Sequence, residues 1–231
     1  MRFSFEGFDF ELPAFTLLSG PMAAAKPLFA QKFIAEFLGE NQDYKVLYFA
    51  TSSPVCGVLR NLKVFGLGDD LAGGVTFLDY QPSCEGIRKV DTSYYIGNFS
   101  NPEQLEKALG VADERTIVVV PSFTLLLIGR EAKDELTDVL IKGIRKANPI
   151  AFVAVNTAMF GEQNERLAES ADNVLEFTKK GEKVFVRALK FKGAAPKEEV
   201  PFDFPREMFD GTKKEVAERT AQIIREKKVG G

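Results

Sequence analysis

Five uninterrupted apolar runs of strand length constrain this chain more than any other feature: FTLLS at 15–19, KVLYFA at 45–50, VTFLDY at 75–80, TIVVVPSF at 116–123 and IAFVAVNT at 150–157. A strand with one wet face alternates apolar and polar residues, whereas a continuous apolar run belongs to a strand covered on both sides. Segments of helical period separate the runs. Leu28, Phe29, Phe33, Ile34, Phe37 and Leu38 make one apolar face that stops at Gly39, and Val55, Val58, Leu59 and Leu62 make another that ends near Gly66. Asn101, Pro102 and Gln104 open a third helix in the manner of a capping box, and Leu136, Val139, Leu140 and Ile144 line a fourth. Strand and helix alternating in this way predict an α/β fold with a mostly parallel central sheet.

After residue 170 the pattern changes. NVLEFTKKGEKVFVRALKFKG reads as two extended runs joined across Lys179 to Lys183, a C-terminal β-hairpin at one edge of the sheet. Thr212 and Glu215 then open a final charged helix, over about 212–228, with Val216, Thr220, Ile223 and Ile224 on its inner side. QPSCEGIRKVDTS, residues 81–93, fits no element. With 231 residues, 45% of them hydrophobic, and no linker-like stretch, the chain is expected to form a single domain over 1–231.

Several function classes fall away on composition. Thirty basic and thirty-three acidic residues leave a net charge of −3, so no global field draws the chain to nucleic acid or to an anionic membrane. Histidine is absent, which removes Ser/His/Asp and Cys/His catalysis and histidine zinc sites. Cys56 and Cys84 are too few for a disulfide scaffold or a four-thiolate zinc site, and both are expected to be reduced. The opening MRFSFEGFDFELP alternates Phe3, Phe5, Phe8 and Phe10 with polar residues, unlike a signal peptide, and no run approaches the roughly 18 apolar residues of a membrane span. The expected location is the cytoplasm.

The first buried run feeds a loop with the outline of a phosphate cradle. A working P-loop is G-x-x-x-x-G-K-[ST] between strand and helix: its glycines let amides face the phosphates, its lysine reaches them, and its hydroxyl holds Mg²⁺. Here the letters are Gly20, Pro21, Met22, Ala23, Ala24, Ala25, Lys26 and Pro27. Ala25 replaces the second glycine, and an L-residue held at positive φ costs about 1–2 kcal/mol. Pro27 has neither the hydroxyl nor an N–H, and it disfavours helical φ/ψ at Lys26. The same letters also fit a plain helix start, with Pro27 in the first turn and Lys26 solvated before it.

Further segments resemble, in order, those of the KaiC-like branch of RecA-type ATPases, and the resemblance covers most of residues 12–193. VLYFATSSPVCGVLRNLKVFGLGDD is similar to that family's second strand, its Glu-Glu-Ser-Pro segment and the helix ending in Phe-Gly. TIVVVPSFTLLL resembles the Walker B strand, ERLAESADNVLEF the family's segment around Ala-Asp-Gly-Val-Ile, and VRALKFKG the strand ending Lys-x-Arg-Gly, here Lys190, Phe191, Lys192 and Gly193. The resemblance implies a three-layer α/β/α RecA-like domain with its core over about 12–193. It also implies that the hydrolytic machinery is missing. Thr51 and Ser52 stand where the family has catalytic glutamates, and neither hydroxyl is a base at neutral pH. Pro121 stands at the Walker B aspartate, where it cannot ligate through a side chain, and is expected at the strand's end or at a bulge.

No catalytic residue and no metal ligand is therefore expected. A vestigial nucleotide site would comprise Gly20 and Lys26, together with Lys190 and Lys192 on an element that in the family reaches toward a neighbouring subunit's nucleotide. Lys192 replaces the family arginine and gives up its planar fork. Both lysines fit equally well as solvent-facing strand residues near Lys179, Lys180 and Lys183. No cofactor is required on this reading, and ATP or another nucleotide binds weakly at most, through the amides of a helix N-terminus. The expected role is a binding, regulatory or scaffold module that associates with itself or with an active RecA- or KaiC-like relative. An ATP-dependent enzyme using unconventional groups such as Asp79, and a nucleic-acid-binding protein using the hairpin lysines, are the alternatives. Cys56 reads as a buried helical cysteine, and Asp69 and Asp70 as loop solvation and capping.

Overall fold

The computed structural model describes residues 1–22, 24–68, 73–80, 88–89 and 93–205, with residues 208, 214, 217, 218, 221 and 225. The strands are β1 (Arg2–Phe5), β2 (Phe8–Glu11), β3 (Phe15–Ser19), β4 (Lys45–Ala50), β5 (Val75–Tyr80), β6 (Arg88–Lys89), β7 (Tyr94–Gly97), β8 (Thr116–Val120), β9 (Ile150–Ala154), β10 (Asn173–Lys180), β11 (Lys183–Lys190), β12 (Gly193–Ala194) and β13 (Val200–Phe202). The helices are α1 (Lys26–Glu40), α2 (Val55–Val64), α3 (Pro102–Leu109), α4 (Phe123–Leu127), α5 (Lys133–Ala147) and α6 (Gly161–Ser170). One ten-stranded sheet has the order β13-β11-β10-β3-β9-β8-β4-β5-β7-β6. From β10 to β7 every neighbouring pair is parallel, while β11 is antiparallel to β10, β13 to β11, and β6 to β7.

Continuous apolarity has the cause expected of it. Alternate side chains of each central strand enter two separate cores: Leu18, Tyr48 and Val119 join the side packed by α1 and α2, while Leu17, Phe49 and Val118 join the side packed by α3, α5 and α6. The fold is therefore α/β in three layers with a mostly parallel sheet. Two apolar runs end sooner than their letters suggest. β8 stops at Val120 because Pro121, just beyond the strand, has no N–H to give the ladder, and the apolar letters from Phe123 coil into α4. β9 ends at Ala154. The helix on the first apolar face continues one residue past Gly39, to Glu40.

The phenylalanines at the chain's start form a hairpin. Glu6 and Gly7 both hold positive φ, 52° and 80°, the geometry of a tight two-residue turn between twisted strands. β12 adds to β2, making a small three-stranded sheet that lies over α1. Its inward rings meet the helix edge-on: Phe5 against Phe29 at 4.9 Å, and Phe3 and Phe10 against Phe33 at 5.2 and 5.5 Å. Such pairs contribute about 0.5–1.5 kcal/mol beyond their buried area.

The C-terminal hairpin pairs Lys180 with Lys183 as expected, but β13 lies outside it and takes the edge position. Asn101 caps α3 by accepting from the Gln104 amide at 3.1 Å; the Gln104 carboxamide accepts from Asn98 N instead of closing a capping box. Lys214, Ala217, Glu218, Ala221 and Arg225 are helical, within the expected final helix. Among the described residues no helix is long and apolar enough to cross a membrane.

Candidate functional site

The parallel strands deliver their C-terminal ends to one edge of the sheet. The chain leaves β3 for β4 on one side, and after β9 it steps across β3 to β10 on the other. Such a reversal opens a crevice at the strands' carboxyl ends, where α/β folds hold their ligands. Hydrogen bonds tie that edge together. Thr157 N donates to Gly20 O at 3.2 Å, Asn156 N to Thr124 Oγ1 at 2.9 Å, and Thr51 Oγ1 to Ser122 O at 3.4 Å. The ends of β3, β9, β8 and β4 are thereby linked in spatial order.

Gly20 and Ala25 bound the loop between β3 and α1. Gly20 has φ 140°, and a Cβ there would sit 2.5 Å from the Phe177 carbonyl oxygen on β10, so no side chain fits. Ala25 is buried at φ 55°, ψ 15°, a left-handed conformation with no side-chain cap, and its carbonyl accepts the first helical bond from Phe29 N at 3.1 Å. The corner thus has the positive φ that a glycine would supply freely, held by alanine at a cost of about 1–2 kcal/mol. Pro27 occupies the first turn of α1.

Lys26 is 6% exposed, not solvated. Its Nζ turns back to donate to Gly20 O at 2.8 Å and Pro21 O at 2.5 Å. An ammonium has three donors, so one N–H remains uncommitted. Burial pushes its pKa down to about 7, because water no longer solvates the charge. Among the described residues no carboxylate pairs with it. A buried cation at the N-terminus of a helix, lacking a counter-charge, is an arrangement that an anion completes.

The other positions along this edge carry little chemistry. Thr51, Ser52 and Ser53 are all buried at the end of β4, and the Ser52 and Ser53 hydroxyls have no hydrogen-bond partner. Each such orphan costs about 1–3 kcal/mol. Pro121 is buried. Asp79, at the end of β5, is half-buried and accepts from the Tyr94 hydroxyl at 2.5 Å. Among the described residues no group of three His, Cys, Asp or Glu side chains could hold a metal ion.

Lys190 and Lys192 are not brought to this loop within one chain. Lys190 lies opposite Val174 and donates to the carbonyls of Glu169 and Ala171; Lys192 donates from its backbone to Asn173 Oδ1 and from its side chain to Pro13 O. Those partners belong to the amino ends of β3 and β10, the far side of the sheet from Gly20. Lys180 pairs with Glu199 and lies over the Phe185 ring. Cys56 corrects the expectation of burial: it is exposed, because it falls off the Val58–Leu62 stripe that α2 turns inward. Asp69, Asp70 and Cys84 lie outside the described residues. Ser53, Ser122 and Thr157 were not anticipated; the available signal was their place just past the end of an apolar run.

No family model and no curated protein matches the chain by sequence. By structure it is similar to the flagellar accessory protein FlaH of Methanocaldococcus jannaschii, at 12% identity and TM-score 0.57, over 83% of this chain and 85% of that one. It is also similar to a KaiC-like protein of Pyrococcus horikoshii OT3, at 16% identity and TM-score 0.57, over 83% of this chain and 86% of the other. The likeness establishes a KaiC/RecA-like fold.

Proposed function

We propose that this chain of KaiC/RecA-like fold is a non-hydrolysing module: it binds a phosphate-bearing ligand weakly at the 20–27 loop and acts as a regulatory or scaffold protein. Lys26 carries the reading. Its buried side chain, held at the start of α1 by two carbonyls and matched by no carboxylate among the described residues, keeps one donor for an anion when protonated. Hydrolysis needs more than that. A base must take a proton from water, and a transition-state clamp must gather the charge; losing either typically costs orders of magnitude in rate. Thr51, Ser52 and Pro121 supply neither. Binding without turnover then serves to change which partner the protein engages, a second copy of itself or an active relative, in the cytoplasm.

The test is phosphate release from ATP with Mg²⁺. Release is expected to stay at background; Mg²⁺-dependent turnover that Lys26→Ala abolishes would overturn the reading. Binding alone is read as a rise in melting temperature at millimolar ATP, since a ligand that binds only the folded state stabilises it by linkage.

A further inference from the structure

The fold implies a Mg²⁺ ion beside the phosphates, and the residues present do not fit one. A hard divalent cation takes oxygen ligands, usually one or two carboxylates with water and phosphate. At the end of this loop Pro27 has no oxygen on its side chain, and Pro121 closes β8 without one. The Thr51 hydroxyl is donated to Ser122 O, and the Ser52 hydroxyl is sealed from solvent. Asp79 accepts from Tyr94 and lies on β5, four strands along the sheet from β3 and its loop. When Lys26 holds its proton, a second cation beside it would meet repulsion rather than relief.

We infer that the loop takes its phosphate ligand as the metal-free anion, and that Mg²⁺ opposes binding instead of enabling it. This rests on the proposed binding role of the 20–27 loop. The free polyphosphate brings the full negative charge that a buried, unmatched ammonium and the N-terminal end of α1 can answer. Its Mg²⁺ complex brings less charge, together with a hydrated ion that finds no ligand. A working P-loop has the opposite preference, because its hydroxyl and its Walker B carboxylate order the metal.

Isothermal titration of the full chain with ATP distinguishes the cases, once with EDTA and once with Mg²⁺ in excess over nucleotide. Affinity is expected to be at least tenfold weaker with Mg²⁺. Equal or tighter binding with Mg²⁺ would overturn the inference and leave the binding role standing. No heat under either condition would remove the binding role, and this inference with it. Pro27→Ser, which restores one oxygen in the first turn of α1, is expected to narrow the difference. An unchanged difference would show that the missing hydroxyl is not its cause.

Discussion

The aromatic sheet over α1 and the carboxyl edge of the central sheet are served by the same helix, yet they satisfy their groups very differently. Beneath β1 and β2, Phe33 meets Phe3, Phe10, Phe37 and Phe152 with ring centroids 4.6–5.6 Å apart. Lys32 of α1 is paired with Glu6 in the hairpin turn and with Glu36 one turn on. At the N-terminus of α1 an alanine holds a left-handed corner and a lysine is buried with no counter-charge among the described residues, and at the end of β4 Ser52 and Ser53 lack partners. Strain and unsatisfied polarity gather at functional sites because selection there is not for stability alone. The lesson is that the first region holds the fold and the second draws on it.

The largest effect that would break this contrast comes from Phe33. Phe33→Ala is expected to destabilise the protein by about 3–5 kcal/mol in urea unfolding, as a large-to-small change in a well-packed core does. A loss below about 1 kcal/mol would mean that the aromatic cluster is not the anchor it resembles.

Lys26 sharpens the other side of the contrast through pH. Its pKa is about 7 in the fold against 10.5 for the ordinary side chain. Between those values the unfolded chain holds a proton that the folded chain has released, so stability rises with pH across the window. The contribution is complete above the upper value and lost as pH falls through the lower one. Over that range the slope from this group is about 1.4 kcal/mol per pH unit. Subtracting the profile of Lys26→Met from that of the native chain between pH 6.5 and 9 isolates it, and parallel profiles would show that the ammonium is better solvated than its burial implies.

The smallest effect is the most diagnostic. Ser52→Ala removes a hydroxyl that nothing pairs, and it is expected to leave stability unchanged or raise it by up to about 1 kcal/mol. A clear loss in chemical denaturation would mean that the hydroxyl makes a bond within the fold.

The layered sheet was legible because burial on both faces writes itself into the sequence as continuous apolar runs, and α1 because Leu28 to Leu38 keep a strict helical period. The cap at Asn101 and the hairpin between Lys180 and Lys183 were legible from local chemistry. Other elements were hidden for particular reasons. α4 is buried all round and continues the apolar letters of β8, with only Pro121 and Ser122 between them. α6 buries just Gln163 and Leu167 and begins after Phe160 in a left-handed conformation, so it has neither an apolar stripe nor a capping residue. The alternation at Phe3 to Phe10 was visible, but its turn, Glu6-Gly7, is not among the dipeptides that announce a hairpin. At the site, the letters showed which groups were replaced. They did not show that Lys26 is buried, or that Gly20 and Thr157 meet, since both depend on contacts between distant segments.

That last contact gives the loop a mechanical character. The Gly20 carbonyl accepts both the Lys26 ammonium and the Thr157 amide, so the corner after β3 and the segment after β9 share one oxygen as a pin. Neither can swing away without releasing the other. Displacing that oxygen would break both bonds at once, so at this point the corner after β3 and the segment after β9 hold a common position.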